Sequence, residues 1–445
     1  MTTPPPSATK ATNFRWVICA LLFWVTTANY IDRGVFGNLA PDLQSRIGWT
    51  EGQYWWMTVG FSLAYAVSML VAGRLIDLMG LRLGFVVAVA LWGLAAMGHS
   101  LASTVTGFFV ARIVLGLFEG GNFPAANKTI AEWFPKRERA LAIGLFNSGS
   151  NVGGILVPFG LPLLMPVFAQ MTVFGHTVGW RGAFICTGIF DVTWIVAWLL
   201  FYRRPQEHPH CSPAELELIM SEPPEPAVKI PWRSLLPHRQ MWAFAVAKVM
   251  TDCFWWFYLF GSPYFFHDRF HLDLKARSAP VAIIYVVASV GSVAGGWLAG
   301  FFMNRGWAPS RARKGTLLIC ALAVVPVVFA TVTDNRWVAV ALITLAASAH
   351  QAWSANAFSL ASDMFPRRVI GSVTGLGGFI GALGGVVLFV VVAFIREAAV
   401  ARGETGNYFP IFLAASVAYL LAIGIIHLLV PKLEMADVEA KPAGS

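Results

Sequence analysis

Apolar residues run along this chain in long stretches broken by short polar interruptions. A hydrocarbon layer about 30 Å thick is crossed by about 20 apolar residues in a helix. Twelve stretches reach that length, near 16–41, 52–73, 83–103, 105–131, 139–166, 182–202, 240–266, 279–303, 315–332, 336–362, 369–395 and 409–430. The prediction is an all-α membrane protein with twelve transmembrane helices. The longest polar interruption, 203–239, is proline-rich and charged, and it divides the spans six and six. Five parts follow: a disordered cytoplasmic N-terminus (1–15), a six-helix bundle (16–202), a cytoplasmic linker (203–239), a second six-helix bundle (240–430) and a cytoplasmic tail (431–445). Within the linker, Ser212-Pro213-Ala214-Glu215 has the form of a capped helix start. It predicts a short interfacial helix near 213–220.

Composition agrees with lipid as the solvent. The chain is 57% hydrophobic and 12% charged, with a mean hydropathy of +0.64; soluble domains carry roughly 25% charged residues. The net charge of +9 matters through its placement. With both termini inside, twenty Lys and Arg fall in cytoplasmic segments and eight on the other side. That bias predicts the orientation and makes the basic excess a matter of topology, not nucleic-acid binding. The five cysteines have no metal-ligand or redox spacing. No secretory signal is expected, because the first apolar stretch contains Asp32 and Arg33 and lacks a small-residue cleavage site.

The two halves repeat. A shift of 231 residues lays Trp133-Phe134-Pro135 on Met364-Phe365-Pro366, Glu132 on Asp363, Arg137 on Arg368, Gly144 on Gly375 and Gly153-Gly154 on Gly384-Gly385. Repeated six-helix units imply a central cavity between halves that opens alternately to each side. Glycines four apart, Gly291/Gly295 in the eighth span and Gly371/Gly375 and Gly377/Gly381/Gly385 in the eleventh, are suited to close helix approach.

After the second span the chain reads Gly73-Arg-Leu-Ile-Asp77-Leu-Met-Gly80-Leu-Arg82, which resembles the cytoplasmic loop signature of the major facilitator superfamily. Leu78 and Leu81 stand where that signature has basic residues. Asn29-Tyr30-Ile31-Asp32-Arg33, Gly116 to Pro124, Glu132 to Ala140 and Asn147 to Ser150 are similar to the anion:cation symporter family within it. Lys248 to Phe260, and His350-Gln351-Ala352-Trp353-Ser354-Ala355-Asn356 with Ser362 to Pro366, resemble its hexuronate-transporter branch. The resemblance implies a major facilitator fold and proton-coupled uptake of a sugar acid, most readily galacturonate or glucuronate, across a bacterial inner membrane. It implies no enzyme activity, no cofactor beyond coupling protons, and action as a monomer. An aldonate, aldarate or aromatic acid carrier is the alternative. Some members carry Gln at the Ser150 position and an Asn in the eleventh span around Gly378–Phe379; this chain has neither, which weakens the transfer of any one sugar-acid specificity, galactonate in particular.

Charged residues in apolar spans are costly, about 2.5–3.5 kcal/mol each at mid-helix, so they face cavities or partners. Arg33 is suited to a substrate carboxylate because its guanidinium fork matches that group; a structural ion pair is the other use. Asn29 shares its face, and the adjacent Asp32 must point toward a neighbouring helix. The resemblance makes Glu119 the proton-coupling carboxylate, with Asp32 as a second. Arg112, Glu119 and Asn122 fall on one helical stripe, and an Arg112–Glu119 packing bridge is the alternative. Lys248 and Asp252, four apart, either neutralise each other or act in gating, as does Asp77 by resemblance. His350 overlays Glu119 in the repeat. Tyr65, Asn147, Ser150, Trp255, His350, Trp353 and Asn356 complete an expected binding set for a polyhydroxylated ligand, and each can equally serve in helix packing.

Overall fold

A computed structural model describes residues 12–173, 176–221, 232–366, 369–402 and 407–438. The expected disordered N-terminus up to residue 11, the linker stretch 222–231, and the end of the tail from 439 lie outside the described residues, as do Arg368 of the repeat and the side chains of Gly73, Asp77, Arg137 and Gly371.

Backbone polar groups in lipid must bond within their own segment, so the apolar stretches fold as helices. They are α1 (Phe14–Ile47), α2 (Glu51–Met79), α3 (Leu81–Gly98), α4 (Val105–Glu119), α5 (Asn122–Trp133), α6 (Lys136–Gln170) and α7 (Arg181–Phe201) in the first half. The linker holds α8 (Pro213–Ile219). The second half has α9 (Arg239–Val249), α10 (Asp252–Phe270), α11 (Leu274–Asn304), α12 (Pro309–Val324), α13 (Arg336–Met364), α14 (Ile370–Ala401) and α15 (Phe409–Leu429). Ten segments are long and apolar enough to cross a membrane; α2 and the α4–α5 pair bring the spans to twelve. A two-residue antiparallel ladder, Thr172–Val173 against His176–Thr177, follows α6.

Several helices outrun their apolar stretches because local chemistry, not hydropathy, ends them. Gly48 closes α1 with φ 82°, a left-handed conformation that costs glycine little. Thr50 then opens α2 through a capping box with Gln53. Ser212 caps α8 by accepting from the Glu215 N–H. The Glu215 carboxylate accepts from the Arg15 guanidinium at 3.0 Å and from the Phe14 and Arg15 N–H groups at 3.1 Å. The linker helix is thereby tied to the root of α1.

Two spans are broken. The fourth stops at Glu119 and restarts at Asn122 across Gly120-Gly121; the seventh stops at Val249 and restarts at Asp252. Neither interruption ends its apolar stretch, since Glu119 and Asn122 at the one and Lys248, Thr251 and Asp252 at the other are isolated polar residues within longer apolar runs.

The packing has the symmetry of the sequence repeat. In the first half α1 packs on α6, α2 on α4 and α3 on α7; in the second, α9 packs on α14, α11 on α13 and α12 on α15. The α5 and α13 helices end at Trp133 and Met364, in the same repeat register, each followed by an extended phenylalanine. The two six-helix bundles meet chiefly along α2–α14, α6–α11 and α1–α10.

The eighth-span glycines sit where α11 packs against the backbone of α13 within the second bundle. A methyl at Gly295 would lie 2.5 Å from the Ala352 Cα, and one at Gly291 would lie 2.4 Å from the Ser348 carbonyl oxygen. The obstacle is backbone, so neither helix can yield locally. Gly295→Val is expected to destabilise the second bundle by about 1–3 kcal/mol. A lower thermal-unfolding midpoint in detergent checks this, and an unchanged midpoint would contradict the packing. In the eleventh span, methyls at Gly377, Gly381 and Gly384 would press on Phe244, Asp252 and Val249, whereas Gly375 faces open space.

Candidate functional site

The predicted residues converge on the two breaks. Glu119 is the last residue of α4, and its buried Oε1 accepts from the buried Arg33 Nε at 2.7 Å. Arg33 is ringed by aromatic faces: Tyr65 at 4.3 Å, Tyr30 at 5.1 Å, Trp256 at 5.2 Å and Phe61 at 5.6 Å from its guanidinium carbon. Trp256 belongs to α10 of the other bundle, so the guanidinium lies where the halves meet. Helix interruptions at this depth are typical of carrier binding sites.

Much of the polar capacity here has no protein partner. Arg33 Nη1 and Nη2, Glu119 Oε2, both amide atoms of Asn29 and all three nitrogens of Arg112 are buried without a hydrogen-bond partner among the described residues. Arg112 rests on Phe61 at 4.0 Å and Phe36 at 4.8 Å. The weighed Arg112–Glu119 bridge does not form; Glu119 bonds Arg33 instead. Two guanidinium groups and one carboxylate leave a positive excess, which favours an anion. Asn122, expected on the same stripe, lies past the break and donates to Thr26 Oγ1 at 3.3 Å.

Asp32 points the other way, into the first bundle, as its adjacency to Arg33 requires. Asp32 is buried, and so is Asp191 of α7, a helix that packs on α1. Asp191 was not singled out in the sequence, although a lone carboxylate in the run Phe190-Asp191-Val192-Thr193-Trp194-Ile195 is a signal of the same kind as Glu119.

In the second half the candidates separate into two groups. Lys248 and Asp252 form an ion pair of 2.6 Å across the break in the seventh span, with the ammonium over Phe358 at 4.4 Å. Of the two readings open in the sequence, the geometry has the neutralising pair. His350 bonds the Tyr419 hydroxyl through Nδ1 at 2.8 Å and stacks on Trp255 at 5.5 Å, with the planes 10° apart. Trp255 itself is half-buried and edge-on to Tyr285. Trp353 and Asn356, by contrast, already have protein partners. Trp353 Nε1 donates to the Ala247 carbonyl at 3.2 Å, and the Asn356 amide donates to the Gly295 and Ala352 carbonyls at 2.9 Å. Asn147 and Ser150 are half-buried on α6, with the Ser150 hydroxyl bonded to the Asn147 carbonyl at 2.7 Å. The Asp77 side chain lies outside the described residues.

A second cluster joins the bundles at the end of the molecule opposite both termini. Arg396 of α14 binds Glu51 of α2 and lies 3.4 Å from Asp268 of α10, and the Tyr408 hydroxyl lies 3.0 Å from an oxygen of each carboxylate, between which its one proton is shared. Arg277 of α11 binds Asp42 of α1 and donates to the Asn38 carbonyl at 2.6 Å. Trp56 donates to Glu397 at 2.9 Å, Trp49 to the Tyr264 hydroxyl at 2.9 Å and Tyr54 to the Phe260 carbonyl at 2.8 Å. These contacts seal that end. Sequence reading could not find them, because they pair residues hundreds of positions apart.

Comparison with known proteins agrees with this architecture. Residues 22–389 match the sequence profile of the Major Facilitator Superfamily. The chain is 28% identical over 439 residues to the hexuronate transporter of Escherichia coli (strain K12), covering 96% of this chain and 97% of that one. It is 29% identical over 300 residues to the galacturonate transporter of Dickeya chrysanthemi, covering 66% of this chain and 84% of the relative. In three dimensions it is similar to the inward-facing, unoccupied form of a bacterial homologue of the human lysosomal transporter Spinster. That likeness has a TM-score of 0.74 at 18% identity, over 97% of this chain and 100% of the other, and it speaks to fold alone. The sequence repeat, the paired six-helix packing and the profile match lead to one conclusion: this multi-pass membrane protein belongs to the Major Facilitator Superfamily and is a transporter, not an enzyme.

Proposed function

We propose that the protein takes up a sugar acid together with a proton, by alternating access, with hexuronates such as galacturonate and glucuronate as its first substrates. The observation that carries this reading is the buried Arg33–Glu119 pair, with the two terminal guanidinium nitrogens unpartnered. Arg33 can hold either Glu119 or a substrate carboxylate through the same fork. Protonation of Glu119 removes its charge and releases Arg33 to the incoming anion. Loss of the proton on the other side restores the pair and expels the substrate. Proton and anion thus bind cooperatively, since each removes the competitor or the counter-charge that opposes the other.

Asn29 and Arg112 supply further donors beside Arg33, and Tyr65 and Trp256 supply flat faces for a sugar ring. His350 with Trp255 is a second polar and aromatic surface across the cavity. The similarity to hexuronate and galacturonate carriers favours a hexuronate over other organic anions. The lysine and arginine bias favours cytoplasmic termini, and the similarity to bacterial carriers favours a bacterial inner membrane; the sealed end would then lie outside. On this reading the protein works as a monomer in the lipid bilayer.

The direct test is uptake of labelled galacturonate and glucuronate into proteoliposomes, with and without an inward proton gradient. Saturable uptake stimulated by the gradient is expected. Uptake of an aldonate, aldarate or aromatic acid in preference to both hexuronates would reassign the substrate, and uptake indifferent to protons would remove the coupling.

The outer seal gives a separate prediction. Arg396→Ala leaves the buried Glu51 without its cation and the half-buried Asp268 without its neighbour, a loss of about 3–5 kcal/mol when one partner of a buried ion pair is removed. The outward-open population should rise. Spin labels placed on the outer ends of α2 and α14 should report a longer distance than in the parent protein; identical distance distributions would show that the pair does not hold the seal.

A further inference from the structure

The hairpin that joins α11 to α12 has no acidic residue of its own, since no Asp or Glu occurs between Asp273 and Asp334. Its counterpart in the first bundle, between α2 and α3, carries Asp77. Four basic residues crowd the α11–α12 turn, and they divide into two kinds. Arg313 pairs with Asp363 of α13 at 3.0 Å. Lys314 donates to the Pro431 carbonyl at 2.7 Å, just past the end of α15. Arg305 and Arg311 are exposed, and among the described residues neither has an ion pair or a side-chain hydrogen bond. Each rests instead on an aromatic ring: the Arg305 guanidinium carbon lies 4.1 Å from the Phe301 centroid, and that of Arg311 lies 4.8 Å from Trp307. The two rings belong to one stack. Trp307 lies flat on Phe302 at 4.6 Å, and Phe302 meets Phe301 edge-on at 5.9 Å. A guanidinium held over a ring keeps the N–H groups of its edge free for an oxyanion.

The stack continues into the outer side of α11. Residues three and four apart share a helix face, so Val290, Val293, Trp297, Phe301 and Arg305 form one stripe. Val293 is 75% exposed and Trp297 65%, and Trp297 stacks on Phe301 at 5.1 Å. On a membrane-spanning helix such a stripe faces acyl chains. It is apolar for about 17 Å at 1.5 Å per residue and then ends in a cation, with the tryptophan near the depth where indoles meet headgroups. We propose that the α11–α12 hairpin binds one anionic phospholipid, its phosphate held between Arg305 and Arg311 and one acyl chain lying along Val293 and Trp297. A zwitterionic lipid is the poorer ligand, because its own ammonium competes for the phosphate. The bound lipid joins the last turn of α11 to the first turn of α12, and α11 is one of the helices along which the two bundles meet. The site depends on no particular transport substrate or coupling ion.

The test is native mass spectrometry of the detergent-solubilised protein titrated with phosphatidylglycerol, with phosphatidylcholine of the same chains and inorganic phosphate as the other arms. The first phosphatidylglycerol should bind in preference to phosphatidylcholine, more weakly as salt is added, and equimolar inorganic phosphate should not displace it. Arg305→Gln and Arg311→Gln should each weaken that first binding roughly fivefold, and the double variant about 25-fold, as expected for arginines facing an anionic lipid. Parent-like affinity in the double variant overturns the site. Equal binding of the two lipids removes the anionic preference and overturns it too, and displacement by inorganic phosphate shows a site for free anions instead of a lipid. Both side chains are exposed and bonded to nothing in the protein, so all three variants must fold. A double variant that does not fold would mean that the arginines serve the protein's own structure, which also contradicts the proposal.

Discussion

Arg33→Ala should reduce saturable sugar-acid uptake by roughly 30-fold to several thousand-fold, corresponding to the 2–5 kcal/mol typical when one member of a desolvated charge pair is truncated. The loss has two sources. The substrate carboxylate loses its fork, and Glu119 is left buried with no cation bonded to it, since Arg112 bonds no carboxylate. Arg33→Lys distinguishes fork from charge. Lysine keeps the positive charge but offers a point ammonium where the guanidinium has a plane lying against Tyr65. It should retain only a small part of the activity, and mainly at high substrate concentration. Initial rates of labelled galacturonate uptake, corrected for the amount of reconstituted protein, give both values. Full activity in Arg33→Lys would show that charge alone suffices.

The second large effect belongs to Glu119. Glu119→Gln mimics the protonated carboxyl permanently, so Arg33 stays available and substrate binds, but nothing couples its movement to the proton gradient. Counterflow should persist while accumulation against a gradient falls to about unity, the level of a carrier that only equilibrates its substrate. Unimpaired accumulation in this variant would remove Glu119 from coupling and leave its bond to Arg33 a structural one.

The contrast between these residues and their neighbours shows what a linear sequence can reveal. The helical spans, the six-and-six division and the repeat register were legible, because hydropathy and glycine spacing are properties of the chain itself. Arg33, Glu119 and Asp32 stood out as charges in apolar stretches, and the structure brings Arg33 and Glu119 together while turning Asp32 away. The break after Glu119 was not legible. Gly120-Gly121 and the polar residues beside it, Glu119 and Asn122, are too few to end the apolar stretch, so hydropathy reads straight through the break. Trp353 and Asn356 spend their donors on the Ala247, Gly295 and Ala352 carbonyls, which the sequence could not show, and the buried Asn356 Oδ1 has no partner among the described residues. Glu51 and Arg396 are 345 positions apart, and only folding brings the second and eleventh spans together. Asp191 gives the same signal as Glu119, a solitary carboxylate in an apolar span, but it lies in no motif that the family resemblance marks.

The competition for Arg33 can be measured without transport. Galacturonate affinity in detergent, followed over pH by calorimetry or by the emission of tryptophans such as Trp256, reports whether a proton must be bound before the anion. The parent protein should bind more weakly as pH rises, by up to about tenfold per unit for each proton required. Glu119→Gln should bind tightly, with a pH slope shallower by one proton. Identical slopes in the two proteins would mean that Glu119 and the substrate do not compete for the same guanidinium.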